Sequence, residues 1–146
     1  MNKDFELIPH TADLKIRVYG STLAEFFRNA VIGMFQSIGP KAPDCKIEND
    51  RRICRELQEH HEIEVKSFDL NSLLVDFLSE ALYLSDVHDE AYLNATIYDI
   101  NEKHVKATLR GVKVTGFEIE IKAVTYHDLE IKQVDGIWQA DIVFDI

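Results

Sequence analysis

The last residues of the chain carry two adjacent anionic groups that could bind a ligand. Residues 141–146 alternate between polar and apolar side chains, the pattern of a β-strand, and keep this pattern to the last residue. Asp145 and the terminal carboxylate of Ile146 therefore lie together at the end of a predicted strand. In the simpler interpretation, both carboxylates of this last strand are in water.

A second polar cluster, residues 10–13, lies between two apolar predicted strands near the amino terminus. Its polar side chains are His10, Thr11 and Asp13. Composition alone favours turn chemistry, in which Asp and Thr side chains bond to nearby backbone amides. A functional role for Asp13 is the alternative interpretation, and it depends on which residues lie near it in the fold.

Three carboxylates would converge if Asp13 lay near the end of the last strand. At separations of about 4 Å, each pair would repel by roughly 4 kcal/mol at an effective dielectric constant near 20. A bound cation, a lysine or a raised pKa would have to offset this repulsion. A ligand set made only of oxygen atoms suits Ca²⁺, Mg²⁺ or Mn²⁺ rather than zinc. Lys122, which alternates opposite the apolar face of its predicted strand, is the alternative counter-charge.

The familiar motifs of catalysis are missing from the sequence. It contains no phosphate-binding glycine loop, no G-x-S-x-G and no CxxC. His60, His61 and Cys54 could ligate zinc, but their spacing matches no standard site, and exposed polar residues are the simpler interpretation. The two cysteines, Cys45 and Cys54, cannot form a disulfide framework. Because no export signal is evident, we expect reduced thiols and a cytoplasmic location.

The composition is that of a globular domain with an acidic balance. The 146 residues are 46% hydrophobic and 29% charged, which predicts one domain over residues 1–146. No apolar run approaches the roughly 20 residues that cross a bilayer, so no membrane association is expected. With 26 Asp and Glu against 16 Lys and Arg, the formal charge is -10. Nucleic-acid binders carry a basic footprint, so a basic protein partner or a cation suits this chain better than direct nucleic-acid binding.

Two helices are predicted from apolar spacing and capping residues. Thr22 and Glu25 match a capping box that satisfies free amides at a helix start, and Gly39-Pro40 ends that helix. Asp69 is the predicted N-cap of the second helix, and the acidic residues 86–90 are expected to form the loop after it.

Strand-like alternation is found along much of the remaining chain. The alternating segments are residues 5–7, 14–19, 63–65, 93–97, 105–109, 117–123, 129–131 and 138–146. Two helices against a largely antiparallel sheet predict an α+β two-layer domain. Residues 40–61 show no clean hydrophobic period, and we interpret this segment as an irregular insertion, mobile or lid-like. A short helix near residues 52–59 is an option within it.

Three motifs together resemble those of the archease family. They are His10-Thr11-Ala12-Asp13, Lys122-Ala123-Val124-Thr125-Tyr126-His127 and the closing Asp145-Ile146. Each motif is weak alone, but the three in this order, with the chain stopping at Asp-Ile, are specific. Both helices agree with the family pattern. The resemblance runs from residue 5 to residue 146, and only residues 40–61 match poorly.

The resemblance implies an α+β domain that assists an RtcB-type RNA ligase and is not itself a catalyst. Archeases promote guanylylation of this ligase, which joins RNA ends in tRNA splicing or RNA repair, and so allow multiple turnover. The family's metal site falls on Asp13, Asp145 and the terminal carboxylate of Ile146. Lys122 is a second functional candidate for ligase activation. His127 is less secure, because that position need not be histidine in the family.

Two other functional classes stay open at this point. The chain could be a chaperone-like or modulatory adaptor for an RNA-modifying enzyme such as a tRNA methyltransferase. A hydrolase could use the same carboxylates in general acid-base or metal-assisted chemistry, but the sequence shows no evident nucleophile or substrate pocket. Our hypothesis is that the carboxylates and their cation dock near the ligase's nucleotide site and favour the conformation competent for guanylylation.

Overall fold

The computed structural model describes residues 3–8 and 13–146, so Asp13 lies within the described residues and residues 10–12 of the first motif lie outside them. The elements in chain order are β1 (Phe5–Ile8), β2 (Leu14–Gly20), α1 (Leu23–Ser37), β3 (Cys45–Glu48), β4 (Arg51–Cys54), β5 (Glu59–Lys66), α2 (Leu70–His88), β6 (Glu90–Ile100), β7 (His104–Lys113), β8 (Ala123–Val124), β9 (Lys132–Val134) and β10 (Ile137–Asp145).

A five-stranded antiparallel sheet carries the candidate residues. Its strand order is β1-β2-β10-β8, and β9 also pairs with β10. The central strand β10 pairs with β2 up to Phe144, which lies opposite Leu14. Ile16, Val18 and Ile142 point into the core, so the alternate residues of these strands lie on the other face of the sheet.

A second antiparallel sheet, of strand order β5-β7-β6, is separate from the first. Strand β6 shifts register between Tyr92 and Asn94 and again between Ile97 and Asp99. Irregularities of this kind bend a strand and increase its twist. The predicted α+β class with antiparallel strands is confirmed, but the strands form two main sheets and a hairpin instead of the single sheet expected from the sequence.

Helix α1 contacts strands of both sheets and is buried along most of its length, as expected for a helix that is apolar nearly all round. The predicted cap is confirmed, because Thr22 Oγ1 accepts a hydrogen bond from the Glu25 N–H at 3.0 Å. The Glu25 carboxylate accepts from the N–H of Ser21 at 3.1 Å. Gly20 joins β2 closely to the helix, since a Cβ there would lie 2.3 Å from the backbone nitrogen of Phe26.

Helix α2 is amphipathic and packs on the second sheet and on β8. Asp69 accepts a hydrogen bond from the Ser72 N–H at 2.8 Å, which confirms the predicted cap. The expected loop at residues 86–90 was wrong, because the helix continues to His88 and ends at Asp89 in the left-handed conformation. Acidic composition suggested a loop, but an exposed helix face accepts the same residues. No helix in the described part of the chain is long and apolar enough to span a membrane.

Residues 40–61 were wrongly predicted to be irregular or to hold a short helix. Strands β3 and β4 form a hairpin in this segment, and β5 begins at Glu59. The Gln36 side chain of α1 accepts from the Arg52 N–H at 2.8 Å and donates to the Arg52 carbonyl at 3.0 Å. The buried Arg52 guanidinium donates to the carbonyl of Pro40 at 2.7 Å. These contacts between distant residues attach the hairpin to the core, and a local period could not reveal them.

The two cysteines form a disulfide, so the expectation of reduced thiols was wrong. Cys45 lies directly opposite Cys54 in the β3–β4 register, with 4.3 Å between their Cα atoms. Register within the hairpin brings the two side chains together, and their spacing along the chain does not show this. Since Cys54 is bonded to Cys45, the zinc set of Cys54 with His60 and His61 is excluded in this structure.

The predicted strand over residues 117–123 is confirmed only at its end. Residues 118 and 119 instead donate backbone hydrogen bonds of 3.0 Å to the carbonyls of Gly39 and Ile38, just after α1. Only Ala123 and Val124 pair with β10, as the short strand β8. The predicted strand at residues 129–131 was also wrong, because β9 begins at Lys132. The apolar residues of these two segments still pack on the core, which explains the alternation.

Candidate functional site

Strand pairing brings Asp13 and Asp145 to the same end of the five-stranded sheet. The last pair between β2 and β10 is Leu14 with Phe144, and both side chains are buried. Asp13 lies in the bend directly before Leu14, and Asp145 is the last residue of β10, directly after Phe144. The β2–β10 register therefore brings two residues that are 132 positions apart in the sequence to the same end of the sheet.

The segment containing Lys122 joins the same end of the sheet on the other side of β10. The Lys122 backbone N–H donates to the Asp145 carbonyl at 2.7 Å. The Thr125 backbone and hydroxyl both donate to the Val143 carbonyl, at 3.1 Å and 2.9 Å. Thr125 Oγ1 also accepts from the His127 N–H at 3.2 Å, so this side chain adds to the backbone bonds that attach the motif to β10.

The side chains of Asp145 and Lys122 are exposed and have no hydrogen-bond or ion-pair partner among the described residues. Among the described residues the Lys122 ammonium makes no ion pair with Asp145, and its role as a counter-charge stays a prediction. Ile146, whose terminal carboxylate is the third predicted ligand, follows Asp145 directly and is 38% exposed. His127 is also exposed and pairs with Asp128 at 3.3 Å.

The donor atoms at this end of the sheet suit a hard cation. Asp13, Asp145 and the terminal carboxylate offer only oxygen atoms, which Ca²⁺, Mg²⁺ and Mn²⁺ prefer. Within residues 3–8 and 13–146, no group of three His, Cys, Asp or Glu side chains is arranged to hold a metal ion. The two aspartates would consequently need the main-chain carboxylate, or an oxygen from another molecule, to complete a coordination shell.

A paired carboxylate lies farther along the same face of β10. Asp141 accepts two hydrogen bonds from the Arg17 guanidinium, at 2.6 Å and 3.1 Å, and lies 3.8 Å from the Lys15 ammonium. The hydrogen bonds from Arg17 hold the pKa of Asp141 below its usual value, although partial burial acts in the opposite direction. Asp141 therefore serves strand pairing, while Asp145, four residues later, is left to solvent.

A second titratable cluster, which the sequence did not reveal, lies under the other sheet. The Glu90 carboxylate is 2% exposed and accepts hydrogen bonds of 2.7 Å from Tyr92 and His61, with the Lys113 ammonium at 3.3 Å. Burial acts to raise the pKa of Glu90, but these hydrogen bonds outweigh it and the pKa is lowered. The His61 ring stacks on His88 at 4.5 Å between centroids. This cluster is internally satisfied and has the character of a structural network.

Comparisons with known proteins identify similar sequences over nearly the whole chain. Residues 5–146 match the sequence model of the Archease protein family (MTH1598/TM1083). A protein archease of Methanosarcina mazei is 38% identical over 152 aligned residues, which cover 99% of this chain and 97% of the relative. One from Pyrococcus furiosus is 36% identical over 154 residues, covering 99% of each chain.

Two solved structures share the fold. The solution structure of Methanobacterium thermoautotrophicum protein 1598 matches with a TM-score of 0.71 and 30% identity, covering 98% of this chain and 99% of that one. The crystal structure of a Thermotoga maritima archease, described as a possible chaperone, matches with a TM-score of 0.62 and 21% identity, covering 100% of this chain and 98% of that one.

Proposed function

This chain belongs to the archease family, and we propose that it is an accessory protein that activates an RtcB-type RNA ligase. In this role it promotes guanylylation of the ligase and so permits multiple turnover in tRNA splicing or RNA repair. The chain acts on the ligase and is not itself the catalyst. Its formal charge of -10 disfavours direct contact with RNA phosphates, so RNA binding is left to the ligase. The proposed location of this activity is the cytoplasm.

One observation supports the proposal: Asp13, Lys122 and Asp145 belong to three distant segments of the chain that end at the same edge of the five-stranded sheet. The β2–β10 register supports the approach of the two aspartates, and the 2.7 Å bond from the Lys122 N–H to the Asp145 carbonyl adds the third segment. Neither Asp145 nor Lys122 uses its side chain to hold the fold together within the described residues. Charged groups that are positioned by the backbone and left exposed are available to another molecule.

A divalent cation would be held by Asp13, Asp145 and the terminal carboxylate of Ile146. Ca²⁺, Mg²⁺ and Mn²⁺ all suit these ligands. When bound, the ion supplies positive charge that can be shared with phosphate or carboxylate oxygens of the partner. The protein's own part would be positional, because Asp13 directly precedes β2, Asp145 ends β10, and these two strands are paired. The Lys122 side chain adds a second cationic group to the same end of the sheet.

Ligase turnover with matched variants tests this proposal. We expect the unaltered protein to raise turnover of its cognate ligase, and both Asp145→Ala and a two-residue extension after Ile146 to lose that effect. The extension leaves every side chain in place and moves only the terminal carboxylate. Asp44→Ala is the control, because Asp44 is exposed and has no side-chain partner in the described part of the chain.

Cation binding gives a readout that needs no ligase. In calorimetric titrations with CaCl₂, MgCl₂ and MnCl₂, we expect the same two variants to lose at least about tenfold in affinity for the preferred ion, since each removes a charged ligand. Asp44→Ala should bind as the unaltered protein does. Unchanged affinity after the extension would exclude the terminal carboxylate as a ligand.

The adaptor class predicts a different pattern. If the unaltered protein fails to stimulate the ligase but keeps an RNA-modifying enzyme from aggregating, the activator function is wrong and the chaperone-like function replaces it. Light scattering of a tRNA methyltransferase during heating measures this directly. Stimulation that survives Asp145→Ala, with folding confirmed by circular dichroism, would contradict the role assigned to the carboxylates.

A further inference from the structure

A groove of about 550 Å³ runs between helix α2 and the segment that leads into β8. Leu82 and Tyr83 line it on the helix side, and Ile119 and Ile121 line it on the other. Its volume is in the range of sites that enclose a few side chains. Apolar surface is also exposed on this helix: Tyr83, which lines the groove, is 60% exposed, and Val87, one turn later and outside the lining, is 54% exposed. Adjacent exposed apolar side chains of this kind mark interaction surfaces.

The charges of the groove define what it can accept. Asp86 lies on the helix wall and Glu120 on the opposite wall, and both are exposed. Lys122 is the one cation among the described lining residues, so the two carboxylates leave the lining with a net negative charge. Neither carboxylate has an ion-pair or hydrogen-bond partner in the part of the chain that the structure describes. Tyr83 presents an aromatic ring one helical turn before Asp86, and arginine side chains stack on such rings. Apolar walls with a carboxylate on each side complement a segment that carries both apolar and basic side chains.

The groove is continuous with the candidate site. Lys122 is one of its lining residues, and the backbone N–H of the same residue donates to the Asp145 carbonyl. If the active centre of a partner contacts the end of the sheet that carries Asp13 and Asp145, another part of the partner's surface would therefore lie over helix α2. We propose that this groove, between Tyr83, Asp86, Glu120 and Ile121, docks an apolar segment of the ligase that bears arginine or lysine. This inference rests on the proposed function and adds to it a docking surface separate from the carboxylates.

The first arm of the test uses a synthetic probe and no ligase. The probe is a five-residue peptide of alternating leucine and arginine, and its counterpart replaces arginine with glutamate. In titrations followed by NMR, we expect only the arginine peptide to shift the amide signals of Tyr83 and Ile121. The double variant D86R/E120R should weaken this binding by about fivefold or more, because it replaces two attractions with two repulsions. D44R/E102R changes the net charge equally at exposed sites outside the groove and should bind the probe as the unaltered protein does.

The second arm measures ligase turnover as a function of the concentration of this protein. For D86R/E120R we expect the half-saturating concentration to rise about tenfold while turnover at saturation is unchanged. Asp145→Ala should do the reverse, lowering turnover at saturation with little change in the half-saturating concentration. D44R/E102R again serves as the control for net charge.

The outcomes separate the two proposals. An unchanged half-saturating concentration for D86R/E120R would overturn ligase docking in the groove and leave the activator function intact. Binding of the arginine peptide without any effect of the unaltered protein on the ligase would overturn the activator function and, with it, the ligase as the occupant. A dimer in sedimentation velocity that disappears in D86R/E120R would also overturn the proposal and assign the groove to a second copy of the chain.

Discussion

Two acidic regions of this protein have opposite surroundings. Glu90, at the start of β6, is buried and its oxygens accept from Tyr92, His61 and the nearby Lys113. Asp145, at the end of β10, is exposed and its side chain has no such partner among the described residues. Each carboxylate lies at the end of a long strand, so strand position alone does not distinguish them.

The difference shows which carboxylate the fold itself requires. A buried charge costs several kcal/mol unless it is paired, so the partners of Glu90 must be present whenever the protein is folded. An exposed carboxylate is solvated equally well in the folded and unfolded chains, and folding gains little from it. Asp145 can therefore serve a ligand or partner without loss of stability, whereas Glu90 cannot.

The largest expected effect is loss of stability in Glu90→Ala. Removing this carboxylate leaves the Tyr92 hydroxyl, His61 and Lys113 without their shared partner, which should lower the free energy of unfolding by about 3–5 kcal/mol. Urea unfolding measures it. Where the variant is still folded, stimulation of the ligase should be intact. A change below about 1 kcal/mol would show that the cluster is not a structural network.

Arg17→Met tests the paired carboxylate on the same strand as Asp145. We expect a loss of about 1–2 kcal/mol at pH 7, at the low end because both side chains are partly solvated. The pKa of Asp141 is lowered in the folded protein. Its contribution is therefore present above the unfolded pKa of about 3.9 and is lost as the pH falls through the folded value.

The stability difference between Arg17→Met and the unaltered protein should accordingly shrink as the pH falls below about 4. Urea unfolding across this range measures it. Glu90 titrates in both proteins and cancels in the difference. A difference that stays constant with pH would contradict the assignment of the Asp141 pKa to Arg17.

Thr125→Val tests whether the hydroxyl positions the Lys122 segment. The substitution keeps the shape of the side chain and removes the donor to the Val143 carbonyl and the acceptor for the His127 N–H. We expect a loss of about 1 kcal/mol in thermal unfolding and a measurable fall in ligase stimulation. Thr125→Ser, which keeps the hydroxyl, is the control. Equal stimulation by both variants would show that the hydroxyl is not needed for positioning.

The smallest stability effect should be that of Asp145→Asn. Because this carboxylate is exposed, we expect the free energy of unfolding to stay within about 0.5 kcal/mol of the unaltered value. Ligase stimulation should nevertheless fall. A loss of stability as large as that of Glu90→Ala would remove the distinction between the two regions.

Local sequence patterns predicted the elements whose causes are local. The caps at Thr22 and Asp69 bind amides only three residues away, so residue type and spacing suffice to identify them. The apolar alternation of β10 is an equally local signal. The two carboxylates of Asp145 and of the Ile146 terminus were identified on the same basis, from the alternation of side chains along one predicted strand.

The long-range pairings were decided only by the tertiary structure. Register between β2 and β10 brings Asp13 and Asp145 to the same end of the sheet, and the β3–β4 register joins Cys45 to Cys54. The division into two sheets and the burial of Glu90 also depend on contacts between distant residues. One sequence permits many such pairings with the same local pattern, and packing of the shared core selects among them. Sequence therefore identified which residues could act, and the fold determined which of them meet.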